Sequence, residues 1–280
     1  MNISSKIFLD GADPEESKKA KQLLGFLDGQ TTNPTLLTRN PEAKEIVEKG
    51  KFKEEDLYSF YKKVVKEIAK TTSGPISIEV YADKGTKAEE MVEQAKKMIQ
   101  WIPNGCIKLP ITKEGLKAAN IVTKEGIPVN MTLCFSQEQA AAVYAATKEA
   151  KASVFVSPFI GRLDDRGEKG IDLVENILKM YNGGDGHVLV LVASIRSLDH
   201  LLINIKMGCP LITIPFKIIR EWEERDFILP DEDFVYSPEL KEIPYKDISL
   251  DRNWEEYNIN HELTDIGLER FSNDWKSVIK

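Results

Sequence analysis

The sequence predicts a single (β/α)8 TIM barrel of the α/β class, continued by an extended segment and closed by a C-terminal helix. Three observations predict it. Eight short runs, most of them rich in β-branched residues, recur along a chain of 280 residues. Amphipathic helical patterns lie between most of them, and the length suits the roughly 250 residues that eight β/α units need. A doubly wound open sheet is the alternative, but its GxGxxG turn after the first strand is missing.

The expected strands are KIFLD (6–10), GFLDG (25–29), PISIEV (75–80), GCIKLPI (105–111), PVNMTLCF (128–135), ASVFVSPF (152–159), HVLVLVAS (187–194) and PLITIP (210–215). Most are apolar on both faces, as parallel strands covered on both sides must be. Between them, Leu57, Phe60, Tyr61, Val64, Val65 and Ile68 recur at helical spacing. Met91, Val92, Ala95, Met98 and Ile99 repeat the pattern, as do Ile171, Val174, Ile177 and Leu178. Gly126 before Pro128, and Gly208 before Pro210, punctuate helix ends ahead of strands five and eight.

The barrel core is expected over 1–216 and an irregular extension, rich in proline and acid, over 217–260. A terminal helix is expected over 261–280, packed on the barrel or on a neighbouring subunit, with Thr264 or Asp265 as its N-cap.

A net charge of −7 argues against a nucleic-acid binder, which normally shows a basic face or stripe. No apolar run approaches the roughly 20 residues of a membrane span, and the amino-terminal stretch has no signal-peptide core. Cys106, Cys134 and Cys209 are an odd number in apolar contexts without CxxC spacing. They read as buried free thiols in a reducing compartment, and a cytoplasmic location is expected. The three histidines are far apart, so no helical metal motif is present and no metal is expected.

Polar residues interrupt these strands at one end, where barrels of this kind carry their chemistry. Asp10 ends strand one, and Thr31, Thr32 and Asn33 follow strand two. Glu79 is near the end of strand three, Lys108 lies inside strand four, and Asn130 and Thr132 share a face of strand five. Ser157 nears the end of strand six, and Ser194 and Arg196 leave strand seven. Lys108 is the sharpest of these. Apolar flanks would desolvate its ammonium, which favours a neutral, nucleophilic amine able to form a Schiff base with a ketone. The competing reading is a buried ion pair with Glu79. Asp10 and Glu79 are the candidate proton shuttles. Asn33, Asn130 and Thr132 either orient hydroxyls and water or satisfy one another. Arg162 in SPFIGR (157–162), with Ser194 and Arg196 in ASIR (193–196), forms a candidate oxyanion clamp, since arginine forks fit phosphate.

TTNP (31–34), IKLP (107–110), NMTLCFS (130–136), SPFIGR, ASIR and LTDIGLERFSNDW (263–275) follow one another in an order that resembles the transaldolase family. The resemblance spans roughly residues 6–216 and the final helix. It implies Lys108 as the Schiff-base lysine and Asp10 as the acid/base of C–C cleavage. Glu79 and Thr132 would activate water, assisted by Asn33 and Asn130, with Thr32 alongside in TTNP. Arg162, Ser194 and Arg196 would hold the substrate phosphate, with Ser157 and Phe159 near the donor. The implied reaction moves dihydroxyacetone between sugar phosphates in the pentose phosphate pathway without a cofactor. A homo-oligomer, pentameric or decameric, is implied too.

The related fructose-6-phosphate aldolases resemble this chain but carry Gln and Tyr where it has Glu79 and Phe159. A non-catalytic sugar-phosphate binding protein is a further reading, but it would have no need of Lys108 or Asp10. An isomerase or decarboxylase using the carboxylates alone is a third, which fold by itself does not exclude.

Overall fold

A computed structural model describes residues 3–280; residues 1 and 2, the start of the stretch read for a leader, lie outside the described residues. The eight strands are β1 (Lys6–Asp10), β2 (Gly29–Thr31), β3 (Ile76–Glu79), β4 (Gly105–Pro110), β5 (Val129–Cys134), β6 (Val154–Pro158), β7 (Val188–Val192) and β8 (Leu211–Ile214). All pair in parallel and in sequence order, and β1 closes on β8. The fold is the (β/α)8 barrel that the sequence predicts.

One strand differs in place. The second was expected over 25–29 and instead begins at Gly29. Gly25 is taken by the helix before it, whose C-cap it forms at φ 78°. The Asp28 carboxylate then accepts the Ile7 N–H at 2.9 Å, so 26–28 form the turn into the strand. Gly29 is required where it stands, because a Cβ there would lie 2.5 Å from the Phe8 ring.

Phe8 belongs to an apolar plug inside the barrel, with Cys106, Phe155, Leu191 and Leu211. Side chains two apart on a strand face the same way. Asp10, Lys108, Ser157 and Thr213 therefore stand directly above Phe8, Cys106, Phe155 and Leu211. A dry floor carries a polar layer at the carboxyl ends of the strands. All three cysteines are free and buried, and burial pushes the Cys134 and Cys209 thiols up to about 12.

The segment expected to be irregular from 217 opens with a helix, Phe216–Glu223, which is the outer helix of the eighth unit. Beyond that helix, a strap travels backward around the barrel. Lys206 Nζ donates to the carbonyls of Glu232 (2.6 Å) and Phe234 (2.7 Å), behind β7. Lys241 pairs with Gly167 and Lys169 behind β6, and Lys246 exchanges two bonds with the Gln137 side chain behind β5.

There the chain turns inward into the terminal helix, Glu262–Ser277. Its N-cap is His261, which accepts from Leu263 N, rather than Thr264 or Asp265. Thr264 is buried and donates instead to the Leu133 carbonyl at 3.0 Å. The helix crosses the carboxyl end of its own barrel toward the helix Pro34–Arg39, where Asp274 accepts from Thr35. Trp275 lies against the rings of Tyr58, Tyr61 and Tyr81. No helix among the described residues is long and apolar enough to cross a membrane.

Candidate active site

The polar layer opens into a cleft of about 720 Å³, solvent at its mouth included. Asp10, Asn33, Lys108, Ser157, Phe159 and Arg162 line it, together with Ser194 and Arg196.

Register puts Lys108 beside Glu79 on one side and Asn130 on the other. Lys108 Nζ lies 2.8 Å from Glu79 Oε2 and donates to the Thr32 carbonyl at 3.4 Å. The Glu79 contact is an ion pair without good hydrogen-bond angles, and Glu79 Oε2 has no hydrogen-bond partner. The ion pair weighed against nucleophilic chemistry in the sequence is thus present. Burial pushes the Glu79 carboxyl above its ordinary range, opposed chiefly by the Lys108 charge. A carboxyl with a raised proton affinity beside an amine can pair with it and can also exchange a proton with it.

Asp10 keeps part of its surface open to the cleft but is densely surrounded. Burial raises its carboxyl, while Lys108 and the Thr31 hydroxyl, 2.7 Å from Oδ1, pull it back. Thr31 also meets Thr213 at 2.6 Å.

Asn130 and Thr132 lie fully buried beneath the cleft. The Asn130 amide is fixed at both ends: Ser157 donates to Oδ1 at 2.7 Å, and Nδ2 donates to Ser77 at 3.0 Å. Thr132 Oγ1 is buried with no partner. With Glu79 Oε2, it leaves unmet hydrogen-bonding capacity in the layer around Lys108, where a water or substrate hydroxyl would be held.

Asn33 has a structural duty as well. Its side chain caps the helix Pro34–Arg39 by accepting from Leu36 N at 2.9 Å, with Pro34 at the first helical position. Thr32, a candidate contact for substrate, is not in the cleft. Its hydroxyl points into the helix layer, to Tyr61 (2.5 Å) and the Ser77 carbonyl (2.7 Å), so only its backbone meets Lys108.

Arg162 stands between the rings of Phe159 and Phe271, 5.1 and 5.3 Å from their centres. Burial, then the charges of Arg270 and Arg196, push its guanidinium down to about 10. Arg196 projects from the β7 end and pairs with Asp165 at 2.9 Å. Ser194 takes a left-handed conformation, φ 61°, and its carbonyl accepts from Gly161 N at 3.0 Å. Such backbone in a serine costs on the order of 1 kcal/mol and turns the chain so that Ser194 and Arg196 both reach the cleft.

A half-buried cluster braces the two arginine loops. His200 Nδ1 accepts the Arg196 N–H at 3.3 Å, which assigns the proton to Nε2. Nε2 then meets Asp164 at 2.7 Å and Tyr236 at 2.6 Å, and the Tyr236 hydroxyl donates to Asp164 at 3.0 Å. Asp164 ends the short helix that carries Arg162, and Tyr236 belongs to the strap.

Sequence reasoning missed Arg39, Arg270 and Phe271, which also line the cleft, and it named Thr31 without a role and Thr213 not at all. Thr213 was detectable as a polar residue alternating within PLITIP. The other three come from helices whose course over the mouth no local pattern announces.

The family model described as transaldolase/fructose-6-phosphate aldolase matches residues 7–280. Proteins named probable transaldolase are similar along nearly their whole lengths. That of Methanococcus vannielii is 36% identical over 276 residues, covering 98% of this chain and 99% of the relative. That of Thermoanaerobacter sp. is 32% identical, covering 98% of each. That of Aquifex aeolicus is 35% identical, covering 98% of this chain and 97% of the relative. With these matches, the barrel and the lysine in its polar layer, the chain belongs to the transaldolase/fructose-6-phosphate aldolase family.

Proposed function

We propose that this protein is a transaldolase, carrying a dihydroxyacetone unit from a ketose phosphate to an aldose phosphate on a Schiff base at Lys108, within pentose phosphate metabolism. The observation that carries the reading is a buried lysine sharing the floor of an arginine-rimmed cleft with two carboxylates.

Glu79 takes a proton from Lys108, and the freed amine attacks the donor's C2 carbonyl to give a carbinolamine. Loss of water, with a proton supplied from the Glu79 and Thr132 side, leaves an iminium. Asp10 removes the proton of the C4 hydroxyl, the C3–C4 bond breaks, and its electrons pass to the iminium nitrogen to form an enamine. An aldose phosphate departs. The enamine then attacks the aldehyde of the incoming acceptor, Asp10 returns its proton to the new hydroxyl, and water releases the product from Lys108. Arg162, Ser194 and Arg196 hold the phosphate of donor and acceptor alternately, which orients C4 toward Asp10.

Glu79 and Phe159 favour transfer over release, because the fructose-6-phosphate aldolases that resemble this chain differ at these two positions. The test is fructose 6-phosphate turnover with and without erythrose 4-phosphate. Acceptor-dependent formation of sedoheptulose 7-phosphate supports transfer. Free dihydroxyacetone as the main product under both conditions makes the protein an aldolase, and no turnover under either removes the enzymatic reading.

A further inference from the structure

The terminal helix brings Arg270 to the cleft from a direction that no strand end can reach. Its seat is close-fitting. Gly267 rides over Arg162, where an added Cβ would lie 2.6 Å from Arg162 Nη1 and 2.6 Å from the Leu133 side chain. Three and four residues onward on the same helical face come Arg270 and Phe271. Phe271 covers the guanidinium of Arg162 at 5.3 Å and the ammonium of Lys108 at 5.6 Å.

The charges there are unbalanced. Lys108, Arg39, Arg162, Arg196 and Arg270 line the cleft; Glu79 pairs with Lys108 and Asp165 with Arg196, which leaves Asp10 as the one carboxylate lining it against Arg39, Arg162 and Arg270. Arg162 has no carboxylate within 4.0 Å among the described residues, and Arg270 touches Asp274 only at 3.9 Å. Asp274 is itself engaged by the Thr35 hydroxyl. Arginines gathered over a buried guanidinium repel one another unless an anion of more than one charge enters between them.

The helix is fastened to its own barrel at both ends. Gln139 Nε2 donates to Thr264 at 2.7 Å at the start. At the finish Phe52 N bonds the Val278 carbonyl and Lys280 N bonds the Phe52 carbonyl, each at 2.9 Å. The backward course of the strap delivers the helix to the β5 side, from which it can cross the mouth of the same chain.

We infer that Arg270, supplied in cis by the terminal helix, is a specificity-determining residue that joins Arg162 and Arg196 in holding the dianionic phosphate of the sugar substrates. The inference rests on the dihydroxyacetone-transfer reading and adds a substrate contact from outside the barrel strands. Arg270 acts on the phosphate end alone, so its loss separates phosphorylated from unphosphorylated substrates.

The experiment compares wild type, Arg270→Gln and Arg270→Lys with fructose 6-phosphate and with unphosphorylated fructose as donors, with inorganic phosphate as a competing inhibitor. For Arg270→Gln, KM for fructose 6-phosphate and the inhibition constant for phosphate should each rise by about 10-fold or more, the scale of one lost charge-assisted hydrogen bond. The values of kcat/KM for fructose should stay within about twofold of wild type, and Arg270→Lys should recover part of the loss. Equal phosphate inhibition in wild type and Arg270→Gln overturns the inference, as does an equal loss on both donors, which would mark a merely structural residue. If wild type itself turns over neither donor, the transfer reading fails, while phosphate binding measured by calorimetry on the same variants still decides the role of Arg270.

Discussion

Lys108 Nζ and Glu79 Oε2 stand 2.8 Å apart in the polar layer of the barrel, with side chains only 4% and 5% exposed. A buried pair of this kind contributes little net stability, but removing one partner strands the other charge. Glu79→Ala should therefore destabilise the fold by about 3–5 kcal/mol. Glu79→Gln, which keeps the volume and one acceptor, should cost less. On the proposed transfer reading, the ratio of free dihydroxyacetone to transferred product should rise in the same variant, since the resembling fructose-6-phosphate aldolases carry Gln at this position. Denaturant unfolding and product analysis with acceptor present check both effects.

The pH dependence should follow Asp10. Burial holds its carboxyl above the ordinary value of 3.8, so the acid limb of kcat/KM should lie above the ordinary aspartate range. The Thr31 hydroxyl favours the charged form. Thr31→Val removes that bond, so the carboxyl should rise further and the acid limb should move to higher pH. A limb that stays in place or moves down would remove Asp10 from the base role.

Asp10 should also cost the protein stability. Its folded-state carboxyl binds a proton more tightly than in the unfolded chain. Its contribution is therefore fully present below the unfolded value and is lost as pH rises through the raised folded value. Asp10→Asn, neutral at every pH, should melt at a higher temperature than wild type near pH 7, with the difference shrinking in acid. Activity should fall by about 10²–10⁴-fold, the usual worth of a general acid/base. Paired thermal melts at neutral and acid pH give the comparison.

Gly161 lets the two arginine loops meet through a backbone hydrogen bond, its N–H donating to the Ser194 carbonyl at 3.0 Å. A Cβ there would lie 2.2 Å from the Ser194 carbonyl and 2.4 Å from Arg196 Cγ, and backbone oxygen cannot yield cheaply. Gly161→Ala should push the β7 end away from Arg162. KM for phosphorylated donors should rise about 10-fold or more, as expected when a clamp is misplaced by about 1 Å. Steady-state kinetics with fructose 6-phosphate and fructose would show the effect confined to the former.

Tyr236 braces those loops from behind. Tyr236→Phe leaves Asp164 and His200 without the shared hydroxyl and should cost about 1 kcal/mol of stability. KM for phosphorylated donors should rise several-fold while kcat changes little. A variant that loses kcat and KM performance equally on both donors would show that the cluster serves folding alone.

Much of the site was legible in sequence because strand residues obey a fixed alternation. Asp10, Lys108, Asn130, Thr132 and Ser157 could be assigned to one end of the barrel from their spacing, and the structure brings them together there. Thr32 escaped that logic because it lies past the strand end, where TTNP already turns into a capped helix and its hydroxyl is spent on Tyr61. The second strand was misplaced because only Phe26 and Leu27 in GFLDG suggested a strand, whereas Gly25 is needed to end the preceding helix and the strand begins at Gly29. Arg270 and Phe271 were beyond reach for another reason. Their place over Lys108 depends on the course of a strap that runs back across three units, which long-range contacts decide and local pattern does not encode.

The most direct measurement is borohydride reduction of the protein in the presence of fructose 6-phosphate, followed by peptide mass mapping. Schiff-base chemistry at Lys108 predicts a dihydroxyacetone-sized adduct on that residue, one that disappears in Lys108→Ala. No adduct on the wild-type protein, or one that persists in Lys108→Ala, would contradict it.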